Sequence, residues 1–149
     1  MGLVEVADYL VALIKDNSVV AALPDWPILD VFYGDQEEIA RSVTVCIDPG
    51  PINQDVVYGS RKAEYTMRHY VMVYVKTVGS VQQNRRYCDI ISQHISDLID
   101  SYPQLGGNVI QSSVIEINPG YVLRGQSILR STRLTVSSKF TKQLPQLGV

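Results

Sequence analysis

The fold is decided by residues 65–77, which read YTMRHYVMVYVKT. Side chains alternate between the two sides of a β-strand, so this stretch separates an apolar row from a row of tyrosines with charged ends. The first row is Met67, His69, Val71, Val73 and Val75, and the second is Arg68, Tyr70, Met72, Tyr74 and Lys76. β-Branched and aromatic residues favour extended backbone over helix. We therefore predict a central strand with its first face in a core and its second face toward another layer or another molecule.

The segment that follows predicts a long helix. Ser80 and Gln83 have the spacing of a capping box, and Pro103 ends the pattern. The apolar stripe between them is Tyr87, Cys88, Ile91, Ile95, Leu98, Ile99 and Tyr102. The same spacing over residues 3–16 predicts a shorter N-terminal helix, and Ser18 is expected to cap a short helical turn through Ala22.

Further strands are predicted at residues 28–34, 42–47, 109–118, 121–123 and 126–140. Asp48-Pro49-Gly50-Pro51 is expected to interrupt the second of them as a bulge or an edge exit, and Pro119-Gly120 is expected to turn the chain. Residues 52–64 are either a loop or a hairpin turning at Gly59-Ser60, and we favour the hairpin.

This order of elements indicates an α+β fold of mainly antiparallel sheet, with the long helix and the short N-terminal helix on one face and a projecting β-hairpin. We expect a single domain over residues 1–140 and an arm or disordered tail over residues 141–149.

Composition narrows the class of protein. A chain of 149 residues with 46% hydrophobic and 19% charged residues is expected to form one globular domain. The formal net charge of -2 gives no general attraction to nucleic acid, so a DNA contact would be local or steric. Cys46 and Cys88 lie within apolar patterns and are interpreted as reduced core thiols. No stretch approaches the ~20 apolar residues that a membrane span needs, so we expect a soluble protein.

The motifs of common enzyme classes are absent from the sequence. It contains no GxxxxGK[ST], GxSxG, HExxH or GxGxxG pattern. His69 alternates with valines and His94 borders the helical stripe, and in both places a buried, hydrogen-bonded histidine is expected more often than a general base. We therefore predict no catalytic residue, no cofactor and no metal site.

Three surface features are candidates for contacts between copies of the chain. The first is an acidic loop with Asp35, Glu37 and Glu38. The second is a set of basic sites, with Arg61 and Lys62 at the hairpin tip and Arg85 and Arg86 early in the long helix, where cations oppose the helix dipole. The third is the stripe of Tyr70, Met72 and Tyr74. Each also has a plainer interpretation: solvated charges, a mobile hairpin tip, and a stripe covered by a second helix layer.

From residue 3 to about residue 140, the order of elements resembles that of tail terminator (tail completion) proteins of long-tailed bacteriophages. The resemblance implies a ring, expected to be hexameric, on the head-proximal end of the tail tube. Such a ring stops tube polymerisation and meets a neck or head-completion protein, and DNA passes through it without sequence-specific binding. It also implies a virion protein of the head-tail interface that is made in the host cytoplasm, without a membrane contact and without catalytic residues.

Two other classes of function stay open. A head-tail adaptor or stopper in the neck would share the lack of catalytic motifs. A small-ligand-binding or enzymatic α+β domain would need a pocket with convergent polar groups, and His69 with Asp30 or Glu116 is the place where we would expect it.

Overall fold

A computed structural model of the chain describes residues 2–57, 59, 62–76, 80–125 and 127–143. The elements, in chain order, are α1 (Leu3–Asp16), β1 (Asp30–Tyr33), β2 (Val43–Val57), β3 (Lys62–Val75), α2 (Val81–Asp100), a 3-10 turn (Leu105–Gly107), β4 (Gln111–Arg124) and β5 (Ser127–Gln143). Neither helix is long and apolar enough to cross a membrane, within the part of the chain that is described.

The strands form one five-stranded sheet in the order β1-β2-β3-β5-β4. Only the β1–β2 pair is parallel among the described strands, and the other neighbours are antiparallel. β3 lies at the centre and pairs with β5 along its whole length, from Lys62 to Val75. The predicted α+β fold with a mainly antiparallel sheet is confirmed.

Both helices pack on one side of the sheet, which we call the helix face. Met67, Val71, Val73 and Val75 of β3 are buried there. The helix side chains packed against them include Val6, Ala7, Leu10 and Ile14 from α1 and Cys88, Ile91, Ile95 and Ile99 from α2. At the start of α2, the Ser80 hydroxyl accepts from the Gln83 N–H at 3.2 Å and the Gln83 side chain accepts from the Ser80 N–H at 3.0 Å. The predicted core face and capping box are therefore confirmed.

The opposite side of the sheet, which we call the second face, carries the row from Arg68 to Tyr74. One end of it is covered by residues 34–42, which we call the acidic loop. Ile39 of this loop forms a small buried cluster with Cys46, Tyr74 and Leu129. The loop thus supplies a partial second layer over this end of the sheet.

The predicted bound of this strand at Ile47 is wrong, because β2 continues to Val57, but the expected bulge at the prolines is present. β1 pairs with β2 only as far as Ile47, so beyond this point the outer side of β2 is a sheet edge, where proline is tolerated. A register shift between Pro49 and Ile52 absorbs the irregular residues. Gly50 has a steric role, since a Cβ there would lie 2.8 Å from Cε2 of Tyr70.

The predicted turn at Pro119-Gly120 is also wrong, because β4 runs through it to Arg124. β4 is the other outer strand of the sheet, so proline is tolerated there for the same reason. The chain turns instead at Gly125, whose φ of +61° lies in the left-handed region that favours glycine.

Three further predictions concern the chain's ends and connections. The helical turn expected at residues 18–22 is absent, and an isolated bridge joins Val20 to Leu23 there. The arms of the predicted hairpin are confirmed by the β2–β3 pairing, but residues 58, 60 and 61 of its tip lie outside the described residues. β5 continues to Gln143, and residues 144–149 also lie outside, so the domain boundary at residue 140 stays a prediction.

Candidate assembly interface

The predicted stripe of Tyr70, Met72 and Tyr74 lies on the second face, but its members differ in access. Tyr74 is 1% exposed because the acidic loop covers it, whereas Tyr70 and Met72 are half-buried. The Arg133 guanidinium lies 5.1 Å from the centroid of the Tyr70 ring. Tyr70 and Met72 are therefore the members of the stripe that a neighbouring molecule can reach.

Tyr74 belongs to a polar network that fixes the acidic loop. Its hydroxyl donates to Asp35 Oδ1 at 2.6 Å and accepts from Arg124 Nη2 at 3.0 Å. Arg124 Nη2 also donates to Asp35 Oδ2 at 2.6 Å. Burial and the Asp35 carboxylate raise the pKa of Tyr74 above its ordinary value. Asp35, predicted at a contact between copies, therefore bonds to Tyr74 and Arg124 of its own subunit.

Cys46 lies beneath this network and is fully buried. Burial, followed by the negative charge of Asp35, raises the pKa of the Cys46 thiol to about 12. Cys88 is a buried residue of α2 that faces the sheet, and burial raises the pKa of its thiol as well. Both thiols are therefore protonated and shielded at neutral pH, which is the predicted state of core cysteines.

Glu37 and Glu38 are exposed like Asp35, but they differ from it in their ion pairing. Neither makes an ion pair with a residue that the structure describes. They line an open cleft together with Leu123, Arg124 and Gly125. Their charges are therefore available to another molecule.

Arg85 and Arg86 are exposed near the start of α2, on the helix face. The first turn of α2 contains no acidic residue. Asp89, one turn further on, pairs instead with Arg130 at 3.7 Å. Within the described part of the chain, Arg85 and Arg86 have no ion-pair partner, so the helix dipole opposes two uncompensated cations there.

The predicted charged sites fall at two ends of the sheet. The acidic loop and the start of α2 both lie at the end where β3 finishes, on the second face and the helix face respectively. Lys62 begins β3 at the other end, roughly 40 Å away for a 14-residue strand. Arg61 lies outside the described residues. The structure therefore groups Glu37 and Glu38 with Arg85 and Arg86 and separates Lys62 from them, while the assignment of these residues to a subunit interface stays a prediction.

The polar residues suggested for a ligand site do not surround His69. His69 is fully buried, and its Nε2 lies 2.8 Å from the Leu3 carbonyl oxygen. Burial lowers the pKa of His69, and the bond to this carbonyl opposes that effect. Asp30 and Glu116, the suggested partners, instead pair with Arg41 and Arg133 at 3.8 Å each. The ligand-site alternative therefore has no assembled constellation among the described residues.

One feature was missed from the sequence: exposed apolar side chains on the two outer strands. Those of Ile115, Ile117, Tyr121 and Leu123 on β4 are between 44% and 62% exposed. On β1, Phe32 and Tyr33 are 37% and 46% exposed. The available signal was Pro119, because proline within a strand is largely confined to sheet edges.

The chain is an α+β domain with its helices on one side of a mainly antiparallel sheet. A solved structure with this fold is the PVC sheath/tube terminator of an extracellular contractile injection system, in its extended state. The two chains superpose with a TM-score of 0.50 at 13% sequence identity, over 100% of this chain and 62% of the terminator. This chain thus spans less than two thirds of the terminator's length. The likeness confirms the terminator fold that the order of elements suggested.

The sequence itself matches no protein-family model and no curated protein.

Proposed function

We propose that this chain is a structural protein with a tail-terminator-like role. Copies of it would form a ring, expected to be hexameric, that caps the head-proximal end of a tail tube, stops its growth and offers a joining surface to a neck or head-completion protein. It would act in the assembled virion without catalysing a reaction and without a cofactor. The observation that supports this proposal is the fold shared with a sheath/tube terminator along the whole chain.

The second face suits the wall of a passage for DNA. Its charged side chains include opposite pairs, Arg133 with Glu116 at 3.8 Å and Lys139 with Glu64 at 3.9 Å. Phosphates that pass such a surface meet compensated charges instead of a basic patch, so the electrostatic term that holds DNA to proteins is small. We therefore assign the second face to the lumen, where DNA would slide without sequence-specific binding.

Ring closure requires a head-to-tail contact in which each copy uses two different surfaces. Glu37, Glu38, Arg85 and Arg86 lie at one end of the sheet without ion-pair partners among the described residues. Neighbouring copies in a ring bring these charges to the same rim. We propose that they attract one another across the boundary between copies, each exposed pair contributing about 0.2–1 kcal/mol at low salt.

The proposal is tested by mixing purified protein with cognate tail tubes and imaging them by negative-stain electron microscopy. We expect a ring on one end of each tube and tube lengths that stop increasing when more tube protein is added. Bare tube ends and continued growth in the presence of the protein would refute the role.

Charge reversal tests the proposed attraction between the acidic and basic side chains of neighbouring copies. We expect Glu37→Lys with Glu38→Lys to lower the fraction of capped tubes, and more so at low salt than at high salt. Adding Arg85→Glu with Arg86→Glu in the same chain should restore capping, because the attraction is rebuilt with the signs exchanged. Glu5→Lys, at an exposed position of α1, is the matched control. Equal capping by the unmodified protein and these three variants at every salt concentration would exclude the electrostatic contact.

A further inference from the structure

The two outer strands of the sheet have matching surfaces. β1 ends the sheet on one side and β4 ends it on the other, and neither pairs with a further strand among the described residues. Both strands carry exposed apolar side chains, including Phe32 and Tyr33 on β1 and Ile117, Tyr121 and Leu123 on β4. Exposed apolar edges favour association with another strand, and natural proteins usually protect them.

The directions of these strands allow them to pair between copies. β1 is parallel to β2, and each step from β2 through β3 and β5 to β4 is antiparallel, so β1 and β4 run in opposite directions. Rotation about a ring axis does not change the direction of a strand along that axis. The β1 strand of one copy therefore lies antiparallel to the β4 strand of the next, as a regular ladder of hydrogen bonds requires.

The usable part of the β4 edge is short. At its start, the Val114 N–H already donates to Asp100 Oδ1 at 3.2 Å, next to a register shift between Val114 and Glu116. Pro119 removes one donor further along. The remaining segments on either side of Pro119 are comparable in length to β1, which has four residues. A short joint of this kind limits uncontrolled edge-to-edge aggregation while it accepts one matching strand.

The side chains on the helix face agree with this arrangement. Tyr33 pairs with Ile47, which belongs to the helix-face core, so Tyr33 shares that face. Tyr121 is on the same face, because it pairs with Arg130, and the Arg130 side chain contacts Asp89 of α2. The Arg130 guanidinium lies 5.1 Å from the centroid of the Tyr121 ring. Pairing β1 with β4 of another copy would bring such exposed aromatic residues together on one side of the joint, where cross-strand aromatic pairs stabilise a sheet.

We propose that copies of this chain join edge to edge, with β1 of one copy added to β4 of the next, so that the sheets form one continuous wall around the ring. The inference rests on the proposed function, because it requires that the chain work as one of several copies. It identifies the partner of the exposed edges as a second copy of this chain.

Engineered disulfides test the joint. Four double variants keep the two cysteines on one face of the sheet, and the six single variants are controls. Tyr33→Cys is combined with Ile117→Cys or Tyr121→Cys on the helix face, and Phe32→Cys with Asn118→Cys or Val122→Cys on the second face. Residues opposite one another in a ladder have Cα atoms within the range that a disulfide spans. The native thiols of Cys46 and Cys88 are fully buried, so they should not form disulfides between copies. Each variant is oxidised mildly at high protein concentration, with and without cognate tail tubes, and separated under denaturing, non-reducing conditions.

We expect at least one double variant to give a ladder of linked chains longer than a dimer, while single variants give no ladder. Absence of linked chains longer than a dimer from all four would overturn the joint. The proposed function is measured separately by capping of tubes by the unmodified protein, so a ladder without capping would reject the function and keep the joint, and capping without a ladder would do the reverse.

A charged edge gives a second measurement that does not depend on disulfide geometry. We expect Tyr121→Lys to weaken assembly at least roughly tenfold, the scale of losing one central aromatic contact. Val4→Lys places the same charge at an exposed apolar position of α1, outside both outer strands, and should have no such effect. Equal assembly by the two variants, with circular dichroism showing both folded, would contradict the edge joint.

Discussion

Removal of one hydroxyl should loosen the acidic loop. Tyr74→Phe keeps the buried ring but deletes the group that donates to Asp35 at 2.6 Å and accepts from Arg124 at 3.0 Å. We expect this variant to fold with a lower free energy of unfolding, because the loop is then tied to the sheet by fewer polar contacts.

The magnitude follows from the exposure of the partners. Hydrogen bonds to charged groups contribute about 1.5–3 kcal/mol each when they are lost entirely. Here the Arg124–Asp35 pair remains bonded at 2.6 Å, and its side chains are 23% and 32% exposed, so water replaces part of what is lost. We therefore expect a net destabilisation of about 1–2 kcal/mol.

Urea denaturation followed by circular dichroism measures this change, with the m-value checked to confirm that only stability has moved. A double-mutant cycle with Arg124→Met isolates the coupling, which we expect to exceed about 0.5 kcal/mol because the two side chains touch. Alkylation of Cys46 in the folded state gives a local readout, and its rate should rise when the loop opens more often.

Tyr70→Phe is the matched control, since Tyr70 lies on the same strand and face and its hydroxyl makes no hydrogen bond with a described residue. We expect it to change stability by less than about 0.5 kcal/mol. If Tyr74→Phe were as neutral as Tyr70→Phe, or if its effect simply added to that of Arg124→Met, the network would not hold the loop.

Three other predictions follow from the described contacts. Burial raises the pKa of Cys46 from 9.0 to about 12, so the folded state keeps a proton that the unfolded state loses, and stability should fall from pH 9 to 12 less steeply in Cys46→Ser, as chemical denaturation across pH can measure. Burial lowers the pKa of His69, so the unfolded state binds a proton more readily and stability should fall as pH drops below about 6.5; NMR titration should find the pKa of His69 below the ordinary histidine value of 6.5, and a pKa above it would contradict this. Ser80→Ala should cost about 1 kcal/mol by urea denaturation through loss of the α2 cap, whereas Ser113→Ala, at an exposed position of β4, should be near neutral.

The elements that sequence patterns predict well are those with a single strong period. β3 alternates cleanly because it is central, and α2 has both a regular apolar stripe and a capping box. In these segments the local preference and the tertiary environment agree, so the pattern suffices. The α+β class and the packing of both helices on one face follow from them.

The errors arise where a strand's place in the sheet decides the outcome. Pro49 was expected to interrupt a strand and Pro119 to turn the chain, but β2 and β4 run through them. Both prolines lie where a strand has no neighbour on its outer side among the described residues. The same proline in a central strand would have removed a ladder bond. Strand order depends on contacts distant in sequence, so a local pattern does not reveal it.

The interface candidates show the same limitation. Tyr74 and Asp35 were proposed for contacts between copies, and Arg124, 89 positions after Asp35, bonds to both within one subunit. The sequence shows charged and aromatic side chains but does not distinguish Asp35, which bonds to Tyr74 and Arg124, from Glu37 and Glu38, which make no ion pair with a described residue. That distinction depends on where the β4–β5 turn meets the acidic loop.

The length of the central strands has a mechanical consequence. β3 and β5 pair over 14 residue positions, roughly 40 Å when extended. A pull along these strands would load their hydrogen bonds in shear, so that many must break together, whereas a pull across them would open the bonds one after another. A subunit set into a tube with its strands along the axis would therefore resist tension between the two ends of a particle far better than sideways peeling.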